Sequence, residues 1–146
     1  MREHIFAMTG NWRGGMRGAG ELSLRLPDGQ VSVPAELSGL GVGTNPEELV
    51  LAAAQSCYMI SLASILQYRK IPFLEITVKS EAIFHLELIP AFKLLRHYPE
   101  VLVSDLEAAQ KQTVQECFQL AEKVCMVSNA IRGNVQIEIQ GVVVER

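Results

Sequence analysis

The sequence has little positive charge and little cysteine. Lys and Arg total 13 against 16 Asp and Glu, which gives a net charge of −3. Proteins that bind nucleic acid usually present a basic face, so this balance argues against a nucleic-acid partner. The chain has only three cysteines, an odd number. We therefore expect reduced thiols and not the disulfide framework of a small secreted domain.

The sequence also gives little indication of a membrane segment or a leader. We find no apolar run that approaches the roughly 20 residues of a membrane span. The apolar stretch near the start turns polar too soon for the core of a signal peptide. We therefore expect a cytoplasmic protein without membrane attachment. The 146 residues, 49% of them apolar, suit one globular domain, which we predict to span residues 1–146.

One long helix is clearly delimited by its end signals. Asn45 can cap it and Pro46 suits the first helical position. The helix then runs through the apolar residues 49–66 to about Tyr68, because the residue before Pro72 resists helical angles. It is apolar almost all round, which predicts burial on most sides.

Strands are predicted on both sides of this helix from alternating apolar and polar residues. The predicted elements are strands near 5–12, 22–26 and 31–33, a turn at 27–29, strands from 73 and over 91–103 with a possible bend at 98–99, helices over 106–123 and 125–131, and a last strand over 135–144. Ser104 or Asp105 can cap the helix over 106–123. Strands, then a helix, strands, helices and a final strand indicate an α+β fold.

Two cysteines are the strongest candidates for chemistry. Cys57 ends the apolar motif AAAQSC, and Cys125, 68 positions later, begins CMVSNA. This separation excludes a local CxxC hairpin. Each thiol is either inert core filling or half of a redox pair. A reactive thiolate needs a nearby positive charge, and no Lys or Arg lies within one helical turn of Cys57.

Arg13 and Arg17, in the glycine-rich segment WRGGMRG, are the best candidates for that charge, the alternative being solvated loop arginines. Glu47 either stabilises the positive end of the helix or orients an arginine. Ten residues separate Glu47 from Cys57, about 15 Å along a regular helix. A site that uses both Glu47 and Cys57 therefore needs either a segment at Glu47 that folds back toward Cys57 or a contribution from a partner chain.

The remaining candidates favour structural roles. His4, His85 and His97 lack metal-ligand spacing, and we interpret them as surface or strand residues. Cys117 lies on the apolar stripe of the second long helix and is interpreted as core filling. We predict no bound metal and no resident cofactor.

Three motifs, taken together, resemble the OsmC/Ohr family of osmotically inducible and organic hydroperoxide resistance proteins. They are GTNPEEL at 43–49, AAAQSC at 52–57 and CMVSNA at 125–130. The WRG at 12–14 followed by GAG at 18–20 is similar to the OsmC-type opening. The resemblance covers nearly the whole chain, and around Cys57 it is to OsmC-like branches at least as much as to Ohr. The family usually has proline after the second cysteine, where this chain has Met126.

The resemblance implies antiparallel sheets around two long buried helices in an intertwined homodimer with active sites at its interface. It implies that Cys57 attacks an organic hydroperoxide and that Cys125 resolves the product as a disulfide. Arg17, or as the second choice Arg13, would lower the energy of the thiolate, and Glu47 would hold the arginine. A dithiol reductant, typically a lipoyl group, would restore both thiols.

Two other functions remain open from the residues. The chain could be a non-catalytic protein that binds a small hydrophobic ligand in an apolar pocket at the same site. It could also be a thiol redox sensor. Formation of a Cys57–Cys125 disulfide under hydroperoxide challenge, with turnover, distinguishes the peroxidase from both.

Overall fold

The chain alternates strands and helices in the predicted α+β order, which a computed structural model confirms for residues 2–15, 18–23 and 30–146. The elements are β1 (Arg2–Arg13), β2 (Ala19–Leu22), a 3-10 turn (Ala35–Leu37), α1 (Pro46–Tyr68), β3 (Glu75–Leu86), β4 (Ala91–Val103), α2 (Ala108–Val124), α3 (Met126–Ile131), β5 (Gln136–Ile139) and β6 (Val142–Glu145). The predicted strand over 24–26, the turn at 27–29 and Arg17 lie outside the described residues. The predicted strand over 31–33 is wrong, since Val31 makes only an isolated bridge to Thr44.

The described strands form one six-stranded sheet, whose pairing is antiparallel as expected except at two strands. Its order is β2-β1-β3-β4-β5, and β6 also pairs with β4. The first four strands are antiparallel neighbours, whereas β5 and β6 run parallel to β4. The helices α2 and α3 carry the chain back to the start of β4 before β5 begins, and such a crossover connection makes the returning strand parallel.

The possible bend at Tyr98-Pro99 is wrong, because β4 continues through both residues. Gln140 donates its backbone N–H to the His97 carbonyl at 2.9 Å, so the backbone groups of His97 point toward β5 and β6. Those of Pro99, two residues later in the strand, point the same way. Pro99 falls between the β4 residues that pair with β5 and those that pair with β6. A missing N–H at this position costs no ladder hydrogen bond.

The helix α1 begins and ends where the sequence predicts. The Asn45 side chain accepts a hydrogen bond from the Glu48 backbone N–H at 2.8 Å, and the helix ends at Tyr68. By length and hydropathy α1 could cross a membrane, contrary to the expectation that no segment could. However, 50% of its most apolar stretch is buried inside the protein, where it packs on β1, β3 and α2. These contacts are those of the core helix of a globular fold.

The second half of the chain differs from prediction in its boundaries. Glu107, and not Ser104 or Asp105, caps α2, through a reciprocal capping box with Gln110. The predicted last strand divides into β5 and β6. Gly141 lies between them, and a side chain there would collide with the Phe118 ring at 2.3 Å, so only glycine allows this close approach to α2.

Candidate active site

Cys57 lies in the middle of α1 and is half-buried as a free thiol. Helical spacing places it on the same side as Val50, Ala53 and Ile60. These three apolar residues are exposed, Val50 to 36% and Ile60 to 42%. The thiol therefore lies at the border between the protein core and an uncovered apolar face of α1. It is accessible without being fully solvated.

Cys125 lies at the break between α2 and α3 and not inside a helix. Its backbone is extended, with φ −67° and ψ 119°, and its sulfur accepts a hydrogen bond from the Ser128 backbone N–H at 3.5 Å. The thiol thus serves as the N-terminal cap of α3. It is fully buried, in contrast to Cys57.

The two thiols are neighbours in the fold. Burial is the main cause that raises the pKa of Cys125, and the neighbouring Cys57 side chain raises it further, whereas hydrogen bonding from Ser128 lowers it. The helix α1, which carries Cys57, packs against both α2 and α3, and Cys125 lies between those two helices. Residues 68 positions apart are therefore neighbours in the fold. Cys117 is buried elsewhere in the core, as predicted, and burial raises its pKa as well.

Glu47 is not beside Cys57 within one chain. Both residues belong to the same helix, and ten residues of helix span about 15 Å. Among the described residues, the Glu47 Oε2 atom is buried without a hydrogen-bond partner. A buried carboxylate oxygen without a partner carries a desolvation cost that a cation or hydrogen-bond donor would remove.

A pocket of about 300 Å³ opens at Glu47. The other residues that line it are apolar: Leu37, Phe84, Leu86, Pro90, Ala91 and Phe92. Aromatic and aliphatic walls with one polar group are typical of a site for an apolar molecule that is held in one orientation.

Of the two candidate arginines, the structure describes only Arg13. Arg13 ends β1, is 69% exposed, and forms an ion pair with Glu75 at 3.1 Å. It therefore has its own carboxylate partner, at the strand end. Arg17 lies outside the described residues.

A buried polar network lies under α1, and sequence reasoning missed it. The Gln55 amide is within hydrogen-bonding distance of the carbonyls of Met8 and Val78, both at 2.9 Å, and of Ser80 Oγ at 2.8 Å. Ser80 Oγ lies 2.6 Å from His97 Nδ1. His97 is completely buried, and within the described part of the chain its Nε2 atom has no partner.

Burial lowers the pKa of His97 to about 4, so the ring is neutral at neutral pH. The interpretation of His97 as a strand residue is correct, but it is a core residue and not a surface one. The ring stacks on Tyr58, with centroids 5.0 Å apart. A signal was present in the sequence, because His97 falls in step with Leu95 and Val101 on the buried face of β4.

Metal chemistry has no candidate in the part of the chain that the structure describes. No group of three or more His, Cys, Asp or Glu side chains there is arranged to hold an ion. His85 instead pairs with Glu3 at 3.6 Å on the sheet.

Comparisons with known proteins agree on one family. Residues 39–140 match the family described as OsmC-like protein. The chain is 30% identical over 142 residues to the Bacillus subtilis protein named uncharacterized protein YmaD, covering 96% of this chain and 95% of that one. It is 29% identical over 128 residues to the organic hydroperoxide resistance protein of Xanthomonas axonopodis pv. citri, covering 86% and 87% of the two chains.

A solved structure from Legionella pneumophila supports the same grouping. It is described as an organic hydroperoxide resistance protein OsmC, a predicted redox protein and regulator of sulfide bond formation. The TM-score is 0.63 at 26% identity, over 97% of this chain and 96% of the other. The similarity thus extends over the whole fold, including both cysteine-bearing segments.

Proposed function

The chain belongs to the OsmC/Ohr family, and from this premise we propose that it is a cysteine-dependent peroxidase that reduces organic hydroperoxides. The observation that carries the proposal is the placement of two free thiols, Cys57 and Cys125, on elements that pack against one another. Two neighbouring thiols, one half-exposed and one buried, suit an attacking and a resolving role. The name of the Xanthomonas relative supports the substrate class.

The reaction would proceed in two steps at sulfur. The Cys57 thiolate attacks one oxygen of the peroxide, the O–O bond breaks, and the leaving alkoxide takes a proton to become an alcohol. Cys57 is now a sulfenic acid. The Cys125 thiol then attacks that sulfur, water leaves, and a disulfide forms between the two residues. The packing of α1 against α3 keeps the two residues in the same part of the fold for this step.

A dithiol reductant would return the enzyme to its starting state. One thiolate of the reductant attacks the Cys57–Cys125 disulfide to form a mixed disulfide, and its second thiol displaces the protein. The reductant leaves as a cyclic disulfide and both cysteines are thiols again. We propose a lipoyl group as this dithiol, and the cytoplasm, where such reductants are available, as the location.

The attacking thiolate needs a positive charge that the described part of α1 does not supply. We propose that Arg17 provides it and that Glu47 holds the arginine. Arg13 suits this role less well because it already pairs with Glu75. Glu47 is about 15 Å along α1 from Cys57 of its own chain. Its buried carboxylate oxygen without a described partner is suited to a group from a second chain.

We therefore propose a homodimer with the active sites at its interface. The apolar face of α1 beside Cys57, with Val50 and Ile60 exposed, would be covered by the partner. Covering this face would also remove water from the thiol. A dry site strengthens the interaction between a thiolate and an arginine.

The apolar pocket at Glu47 favours an alkyl or lipid hydroperoxide over hydrogen peroxide. Its walls include Phe84, Leu86 and Phe92, which would bury a hydrocarbon chain. The same pocket also favours the second candidate function, binding of a small hydrophobic ligand without chemistry. The reactivity of Cys57 separates the two.

The deciding experiment measures turnover of tert-butyl hydroperoxide with dihydrolipoamide. We expect Cys57→Ser to abolish turnover, because the attacking sulfur is absent. Cys125→Ser should still form one sulfenic acid but should not recycle through the internal disulfide. Cys117→Ala, which removes the third thiol from the core, is the matched control and should retain turnover.

Unchanged turnover in Cys57→Ser would sink the peroxidase proposal. A wild-type protein that forms no Cys57–Cys125 disulfide under hydroperoxide challenge, yet binds an apolar fluorescent probe, would favour the binding protein. Slow oxidation of one equivalent without turnover would favour a sensor.

A further inference from the structure

Tyr58 directly follows Cys57 and makes contacts on two sides of the core. It is completely buried. Its ring stacks on His97 of β4 at 5.0 Å with the planes 20° apart. Its hydroxyl donates a hydrogen bond to the Phe118 carbonyl at 3.0 Å. Tyr58 therefore connects α1 to the sheet through its ring and to α2 through its oxygen.

The hydrogen bond to Phe118 differs in kind from the other contacts described between these helices. Leu62 and Leu66 of α1 share an apolar cluster with Val114 and Ala121 of α2. Apolar packing is non-directional and permits small shifts of one helix along the other. A phenol aimed at one backbone carbonyl fixes a single point on each helix.

This fixed point lies close to both thiols. Cys57 directly precedes Tyr58 in α1. Cys125 follows the last residue of α2, seven positions after Phe118. Burial is the largest cause that raises the pKa of Tyr58, and the negative charge that Cys125 can carry is the second. The Tyr58 hydroxyl lies on the Phe118 carbonyl, and seven residues of helix from Phe118 to Cys125 span about 10 Å.

We propose that Tyr58 is a positioning residue that holds α1 in register with α2 and thereby keeps the Cys57 thiol beside the Cys125 thiol. The inference rests on the proposed pairing of these two cysteines. Tyr58 takes no part in bond making. Its hydroxyl acts through the two helices, and the quantity it controls is how readily the two sulfurs join.

That quantity can be measured without any hydroperoxide. Oxidised dithiothreitol accepts two electrons and two protons from the Cys57 and Cys125 thiols, which form a disulfide, and leaves as reduced dithiothreitol. The equilibrium constant of this exchange reports how well the reduced fold preorganises the pair. A variant that weakens the reduced and oxidised folds equally leaves the constant unchanged.

The test compares Tyr58→Phe with Ser80→Ala, both in a Cys117→Ala background so that only two thiols remain. Tyr58→Phe keeps the ring on His97, and the Phe118 carbonyl keeps its bond within α2, so the variant should fold. Ser80→Ala is the matched control. It removes a buried hydroxyl that lies 2.6 Å from the same histidine but does not touch α2.

We expect Tyr58→Phe to lower the equilibrium constant for disulfide formation about fivefold, the fold-change that corresponds to one ordinary hydrogen bond. Ser80→Ala should leave the equilibrium constant for disulfide formation within about twofold of the parent value, because Ser80 does not join the two helices. This should hold even if urea unfolding shows that Ser80→Ala loses as much stability as Tyr58→Phe. An unchanged constant in Tyr58→Phe, equal falls in both variants, or no disulfide in the parent would overturn the inference. Absent hydroperoxide turnover with the fivefold difference intact would refute only the proposed function.

Discussion

The buried histidine makes the stability of the fold depend on pH in a definite direction. Burial lowers the pKa of His97 to about 4, against about 6.5 for an exposed histidine. The unfolded chain therefore binds a proton near pH 6 that the folded protein excludes. The stability that neutral His97 contributes is present above pH 6.5 and is lost as the pH falls from 6.5 toward 4.

The size of the effect follows from the two pKa values. Between pH 7 and pH 5 the free energy of unfolding should fall by about 2 kcal/mol through His97 alone. The fall should level off below pH 4, where both states bind the proton. Glu145, whose pKa is lowered mainly by its hydrogen bond to Lys111, acts in the same direction but only at lower pH.

The assay is urea unfolding at intervals between pH 4.5 and pH 7.5 in the presence of a reductant. The comparison is His97→Asn, whose short amide does not titrate and can keep a polar contact with Ser80. The wild-type curve should drop more steeply toward low pH than that of the variant, with the difference assigned to His97. Parallel curves over this range would refute the assignment of a depressed pKa to the buried ring.

Two further predictions concern Met126 and the two candidate arginines. Met126→Pro should raise the free energy of unfolding, measured with urea, by about 0.4–1 kcal/mol. Met126 is 78% exposed at the first position of α3, and the extended backbone angles of Cys125 suit a residue that precedes proline. A loss of stability would contradict the description of this turn. Arg17→Ala should slow oxidation of Cys57 by hydroperoxide about tenfold or more, the effect of losing one hydrogen bond to a charged group, whereas Arg13→Ala should not. The reverse order in stopped-flow traces would assign the site to Arg13.

The extent of α1 could be predicted because its end signals are local. Asn45 and Pro46 define its start, and Pro72 limits how far it continues. The start of α2 was less predictable, since Ser104 and Asp105 are typical capping residues and glutamate is not, yet in the folded chain Glu107 caps the helix. The parallel pairing of β5 and β6 with β4 depends on where the helices return the chain, which strand alternation does not encode.

The candidate site was predictable only in part. The cysteine motifs and their resemblance to a family indicated Cys57 and Cys125, but how near two residues 68 positions apart come to one another depends on the packing of α1 against α2 and α3. His97 could have been recognised as buried from its phase in β4. Its contacts with Ser80 and Tyr58 join three separate elements, and no local pattern predicts them.

The function proposed for this site depends on the pairing of Cys57 with Cys125. The measurement is peptide mapping by mass spectrometry after one equivalent of cumene hydroperoxide, with free thiols blocked before digestion. We expect a single cross-link between the peptides of Cys57 and Cys125, with Cys117 recovered as the blocked thiol. Recovery of Cys57 and Cys125 as unlinked residues, or a cross-link that includes Cys117, would contradict it.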